Sequence, residues 1–115
     1  MIRFYLDEDV LPLAKVLARL RSDVAHPGHP EAETVDPGWL VISRDAHVED
    51  HRAWLAAVVE RRSKLVVLAG RDAGGTWGQL EIVLSQWRAI EALAAREGPF
   101  VHAATRSGLR AVPLR

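Results

Sequence analysis

Ile2-Arg3-Phe4-Tyr5-Leu6-Asp7-Glu8-Asp9 decides the reading: a short β-favouring run that ends directly in three acids. Val10, Leu13, Ala14, Leu17 and Leu20 then recur at helical spacing, so the chain reads strand, acidic corner, helix, with Asp9 as N-cap and Pro12 tolerated in the first turn. Residues 21–25 offer a second short strand. The breakers in His26-Pro27-Gly28-His29-Pro30 and Pro37-Gly38 make residues 26–38 a loop. Trp39-Leu40-Val41-Ile42-Ser43 predicts a strand buried on both faces that stops at Arg44-Asp45. A helix over residues 47–62 follows, with Trp54, Leu55, Val58 and Val59 as its apolar stripe. Lys64-Leu65-Val66-Val67-Leu68-Ala69 predicts another buried strand, closed by Gly70-Arg71-Asp72-Ala73-Gly74-Gly75. Thr76-Trp77-Gly78-Gln79 fits a capping box and opens a long amphipathic helix through Leu80, Leu84, Trp87, Ile90 and Leu93 to about residue 98. Residues 100–105 and 109–114, joined by Arg106-Ser107-Gly108, predict a terminal hairpin.

Strands alternating with helices imply βαβ crossovers, hence an α/β class: one three-layer α/β/α domain over residues 1–115, with a mainly parallel central sheet and a C-terminal hairpin. At 115 residues, 49% hydrophobic and 26% charged, the chain suits a single domain with a real core. Having no cysteine, it excludes disulfides, thiolate metal sites and cysteine nucleophiles, and suits a reducing compartment. Its longest apolar runs are strand-sized and Met1 leads straight into the first strand, so the expectation is a cytoplasmic protein with no membrane partner. The formal net charge of zero hides polarity: residues 1–50 hold five Lys/Arg against ten Asp/Glu, and residues 51–115 hold ten against five. Such asymmetry permits a carboxylate cluster to share a surface with an anion-binding patch.

Ligands of open parallel sheets bind beyond the carboxyl ends of the strands, and three predicted strands end in aspartate: Asp7 with Asp9, Asp45, and Asp72. Carboxylates gathered at one edge repel each other unless a cation offsets them, which points to Mg²⁺ or Mn²⁺. A metal held this way lowers the pKa of a bound water and clamps a phosphodiester for in-line attack. The competing account is local: Asp9 and Asp45 cap helices and Asp72 sits in a solvated turn.

Two stretches, Phe4-Tyr5-Leu6-Asp7-Glu8-Asp9-Val10 and Trp39-Leu40-Val41-Ile42-Ser43-Arg44-Asp45, resemble the opening aspartate strand and the internal Ser/Thr-x-Asp strand of the PIN-domain family. The likeness is to its compact members, which include the VapC-type toxin ribonucleases. Weaker support comes from residues 66–87 and 98–106. The resemblance implies a PIN-like fold and a Mg²⁺- or Mn²⁺-dependent endoribonuclease. Asp7, Asp9 and Asp45 would be metal-binding positions, and Asp7, Asp45 and Asp72 the catalytic acids. The family's further acid usually lies on a helix between the two strands; here Glu31, Glu33 or Asp36 on the loop are its stand-ins, and Asp72 completes the cluster by position. It also implies a toxin with an antitoxin partner, and a homodimer.

Arg44, Arg71 and the helix start at Thr76 are candidates for RNA phosphate contact. The terminal Arg106, Arg110 and Arg115 would track a backbone or simply solvate the hairpin. His47 and His51, at i and i+4, have the spacing of a zinc pair, with His26, His29 or His102 as candidates for a third ligand, but Glu49 is displaced from the zinc-hydrolase order and the favoured reading is that both border the apolar stripe and make local hydrogen bonds. The loop at residues 70–76 lacks the lysine of a nucleotide-binding phosphate loop. Asp7, Glu8 and Asp45 also mimic the acidic positions of a phosphorelay receiver, but Ala69 replaces its hydroxyl residue and no lysine follows Lys64. Trp39, Trp54, Trp77 and Trp87 read as core or interface packing more readily than as base-stacking platforms. The non-enzymatic alternative is a degenerate PIN-like module that binds RNA or protein without cleaving.

Overall fold

The structure, a computed structural model, describes residues 1–44 and 52–114. Its strands β1 (Phe4–Leu6), β2 (Val24–Ala25), β3 (Leu40–Arg44), β4 (Lys64–Leu68), β5 (Phe100–Thr105) and β6 (Gly108–Ala111) form one sheet in the order β2-β1-β3-β4-β5-β6. All pairings are parallel except the β5–β6 hairpin. The helices α1 (Leu11–Leu20), α2 (Arg52–Arg61), α3 (Thr76–Ser85) and α4 (Trp87–Ala94) complete a three-layer α/β/α arrangement. Among the described residues, no helix is long and apolar enough to cross a membrane.

Strand alternation divides the core in two. Phe4, Leu6, Leu40, Ile42, Val66, Leu68, Phe100 and Ala104 pack with Leu13 and Leu17 of α1, Ile82 of α3 and Ile90 of α4. The opposite face sets Leu65, Val67, Val101 and Ala103 against Leu55 and Val58 of α2. All five residues of β4 are buried, which explains the unbroken apolar run that announced it. The connections from β3 to β4 and from β4 to β5 step the same way across the sheet, yet their helices lie on opposite faces. They therefore have opposite hands, one of them the rare left-handed crossover. Among the described residues, α2 is the helix that covers the second face.

Several local expectations are corrected. Asp7, not Asp9, caps the first turn: its carboxylate accepts the Asp9 amide at 3.0 Å, a 3₁₀ turn (Glu8–Val10) intervenes, and α1 starts at Leu11. The box at Thr76 does not form, because Gly75 is the N-cap and Thr76 the first helical residue. Gln79 instead turns inward, 4% exposed, and its amide donates to the Ala73 carbonyl at 3.0 Å. The long helix is two, broken at Gln86, whose side chain donates to the Arg106 carbonyl at 3.1 Å. Past the break Trp87 packs on Phe4, ring centroids 4.8 Å apart, under the Arg21 guanidinium at 4.7 Å, while Leu84 is left exposed. Trp87 thus packs as expected, but Trp77 is 73% exposed, and Trp54 and Val59 are partly exposed rather than buried in the α2 stripe. Residues 47–51 of the expected helix lie outside the described residues.

At the amino edge Arg3 and Arg21 both bridge Asp23 at 2.9 Å and Glu91 at 3.3 Å, tying β1 and β2 to α4. Chiefly through the Arg21 hydrogen bond, this network holds the Asp23 carboxyl below its ordinary pKa.

Gly78 is the close approach that lets α3 follow the 3₁₀ turn (Arg71–Gly74), since a Cβ there would overlap the Asp72 carbonyl. We expect Gly78→Ala to destabilise the fold by about 1–3 kcal/mol despite alanine's better helix propensity. Gly74→Ala, where a Cβ meets open space, should stay within about 0.5 kcal/mol. Urea denaturation of the two variants checks the contrast.

Candidate functional site

β1 ends where Leu6 pairs with Ile42, and the Asp7 amide donates to the Ile42 carbonyl at 3.2 Å. Asp7 is therefore fixed at the sheet edge before the chain turns. Its carbonyl accepts the Val10 amide at 3.1 Å, and its carboxylate takes the Asp9 amide and a hydrogen bond from the Ser43 hydroxyl. Burial pushes the Asp7 pKa above its ordinary value, and the Asp9 and Glu8 charges push the same way against the two hydrogen bonds. The neighbouring Tyr5 phenol is also raised, first by burial and then by Glu8 and Asp7.

Beside this corner opens a cleft of about 310 Å³ between α2 and the second face of the sheet. Asp7, Asp9, Ser43 and Arg44 line one end, Trp54 and Val58 the helical wall, and Arg61, Ser63 and Lys64 the other end. Ser43 lies opposite Val67 and Leu40 opposite Lys64, so the two ends are three residues of strand apart, about 10 Å. Desolvation lowers the pKa of Lys64, whose ammonium donates to the Ala94 carbonyl.

The structure thus brings Asp7 and Asp9 into one cleft, with Arg44 at its rim, where the guanidinium reaches the Gly74 carbonyl at 3.4 Å. Asp45 follows Arg44 but lies outside the described residues, as do His47, Glu49, His51 and Arg115. Asp72 does not line the cleft; it is exposed on the turn after β4, 3.9 Å from Arg106. Arg71 and Thr76 are exposed beside it at the start of α3. Glu31, Glu33 and Asp36 are exposed on the loop, where Asp36 accepts the Gly38 amide at 2.7 Å. His26 and His29 form an edge-to-face pair, and His102 stacks edge-on against Phe100, so these three are not gathered. Among the described residues, no three His, Asp or Glu side chains form a group able to hold a metal. The chain reading missed Ser43, Trp54, Arg61 and Lys64. Ser43 carried a signal, as the one hydroxyl in an otherwise apolar strand.

No family model, curated protein or solved structure matches the chain. The chemistry has to be read from the cleft.

Asp7 yields a direct test. A raised folded-state pKa means that the folded protein binds this proton more tightly than the unfolded chain does. Its contribution to stability is full at acid pH and is lost as pH rises through the folded-state pKa. Asp7→Asn keeps a capping side chain and removes the buried charge, so metal-free protein at pH 7 should melt about 2–5 °C higher. The gain should shrink as pH falls through the carboxylate range, which thermal unfolding across a pH series measures.

Proposed function

We propose that the protein is a metal-dependent endoribonuclease that cleaves RNA phosphodiesters at the Asp7 end of the cleft. The observation that carries this reading is Asp7 itself. It is a half-buried carboxylate fixed by backbone and by Ser43, with Asp9 beside it, at the carboxyl ends of β1 and β3. That edge is where the strand order reverses, since the chain goes from β1 outward to β2 and then crosses to β3, and such switch points are the ligand crevices of open parallel sheets. The sequence resemblance to PIN-like toxin ribonucleases points to the same residues.

The donor set fits Mg²⁺ or Mn²⁺: hard oxygens, no thiolate, and a carboxyl whose pKa is raised first by burial and then by the Asp9 and Glu8 charges, a cost to its ionised form that a cation would offset. Mg²⁺ keeps several waters and needs only one or two carboxylates, so Asp7 and Asp9 are sufficient to begin a site, with Asp45 the next residue to join it. A bound ion would supply Lewis-acid stabilisation of the phosphoryl oxygens and a more acidic water. The chain's own residues do the rest. Asp7 and Asp9 hold charge at the edge, Ser43 orients the Asp7 carboxylate, and Arg44 supplies a cation to an RNA phosphate at the rim. Arg71 and the α3 start at Thr76 would extend phosphate contact beyond the cleft. The RNA bond is broken by water directly, with no covalent enzyme intermediate.

In this reading the protein is a cytoplasmic toxin, working as a homodimer and silenced by an antitoxin that covers the cleft. A degenerate PIN-like module that binds without cleaving is the second reading, favoured by the presence of only two carboxylates among the described cleft residues. A phosphorelay receiver is not favoured: β4 runs out into Ala69, and Lys64 lies at the opposite edge of the sheet.

A mixed-sequence RNA incubated with the protein and Mn²⁺ should be cut endonucleolytically. Asp7→Asn and Asp45→Asn should each lower the rate by about two orders of magnitude or more while the fold is kept. Unchanged cleavage by either variant removes that residue from the site. Absence of cleavage by the unmutated protein across metals and substrates selects the binding module.

A further inference from the structure

A second hollow adjoins the cleft. At the amino edge of the sheet an open concavity of about 520 Å³ is lined by Arg61, Arg62, Lys64 and Arg96, with Glu97 its one acid. Arg61 and Lys64 line the cleft as well, so the two hollows share a wall. Among the described residues the ion pairs fall on Arg3, Arg21 and Arg106, and none neutralises these four cations.

Their placement is built into the fold. Arg62 ends α2 in the left-handed conformation, φ 54°, and its guanidinium donates to the Gly98 carbonyl at 2.9 Å. Gly98 in turn packs so closely on the Arg62 carbonyl that a Cβ would overlap it. The turns carrying Arg61–Arg62 and Arg96 are thereby locked together. Arg96 lies 5.6 Å from the Phe100 ring centroid, and Lys64 is 8% exposed with its ammonium on the Ala94 carbonyl. Three guanidiniums around one hollow, with the buried Lys64 ammonium behind them, make a site for an anion.

We infer that this amino-edge hollow binds the phosphate backbone of single-stranded RNA whose neighbouring phosphodiester enters the Asp7 end of the cleft. The identity of the ligand rests on the ribonuclease reading above. The geometry adds its own support, because Trp54, 38% exposed on the α2 wall of the cleft, offers a face on which a base can stack. The ends are about 10 Å apart along β3 and β4, so one short strand engages both. An acidic peptide would use the arginines but leave the tryptophan face without a role.

The test separates binding from cleavage. A labelled mixed-sequence 12-nucleotide RNA is titrated by fluorescence anisotropy with the Asp7→Asn protein in EDTA, where no metal-dependent cutting occurs. In that background Arg61→Glu and Arg96→Glu should each weaken binding about tenfold or more and flatten the salt dependence, by roughly 0.7 in log–log slope for each phosphate no longer neutralised. Arg19→Glu makes the same charge change on the exposed side of α1 and should stay within about twofold. Circular dichroism confirms that each variant is folded. Equal loss in all three, no loss in Arg61→Glu and Arg96→Glu, or displacement of the RNA by a polyglutamate peptide at matched charge overturns the inference. RNA binding that depends on Arg61 and Arg96 in a protein that never cleaves RNA would sink the nuclease reading and leave this site standing.

Discussion

β1 lies beside β3 in parallel, with the Asp7 amide held by the Ile42 carbonyl at 3.2 Å, and the rest of the molecule depends on that pairing. It arises because the chain lays β2 outside β1 and then crosses back past it. Two strands far apart in sequence then end at one edge, and the Ser43 hydroxyl meets the Asp7 carboxylate there. With β1 at the other side of β2, the acidic corner would be an ordinary capped turn without a neighbour. Leu6 and Ile42, both wholly buried, anchor the pair from below, so the packing of the first core fixes the position of the acid.

A second constraint shapes what the acid faces. Since α1, α3 and α4 crowd one side of the sheet, α2 is the only helix on the other among the described residues, and the space along its flank is the cleft. The charge asymmetry of the chain acquires a place in this arrangement. Asp7 and Asp9 come from the acidic first half and sit at the carboxyl edge, whereas Arg61, Arg62, Lys64 and Arg96 come from the basic second half and sit at the amino edge. A metal-assisted cut at one end and backbone capture at the other is a division of labour that this polarity suits.

The layers, the strand positions and the terminal hairpin were legible because apolar runs of strand length and helical periodicity are local signals. Asp7 at a strand end was legible for the same reason. What failed were details decided by tertiary contacts. Thr76 looked like a cap, but Gly75 took that position once Gln79 had turned inward to the Ala73 carbonyl. The periodicity from Leu80 to Leu93 gave no hint of the break at Gln86, because Trp87 keeps the spacing while reaching Phe4 only after a bend. Asp9 and Asp7 compete for one cap, and the pairing of β1 with β3 decides for Asp7. The basic hollow was illegible, since it joins the end of α2 to a turn more than thirty residues later. Asp72 was placed with Asp7 on strand-end logic alone; the turn after β4 instead carries it out toward Arg106.

The central claim is that the β1 carboxyl edge is a divalent-cation site, and a crystal structure of the protein soaked in Mn²⁺ tests it most directly. The account predicts an anomalous peak with six oxygen ligands, among them carboxylate oxygens of Asp7 and of Asp9 or Asp45. No peak at Asp7 with Mn²⁺ in excess, or a peak held instead by His47 and His51, would contradict it.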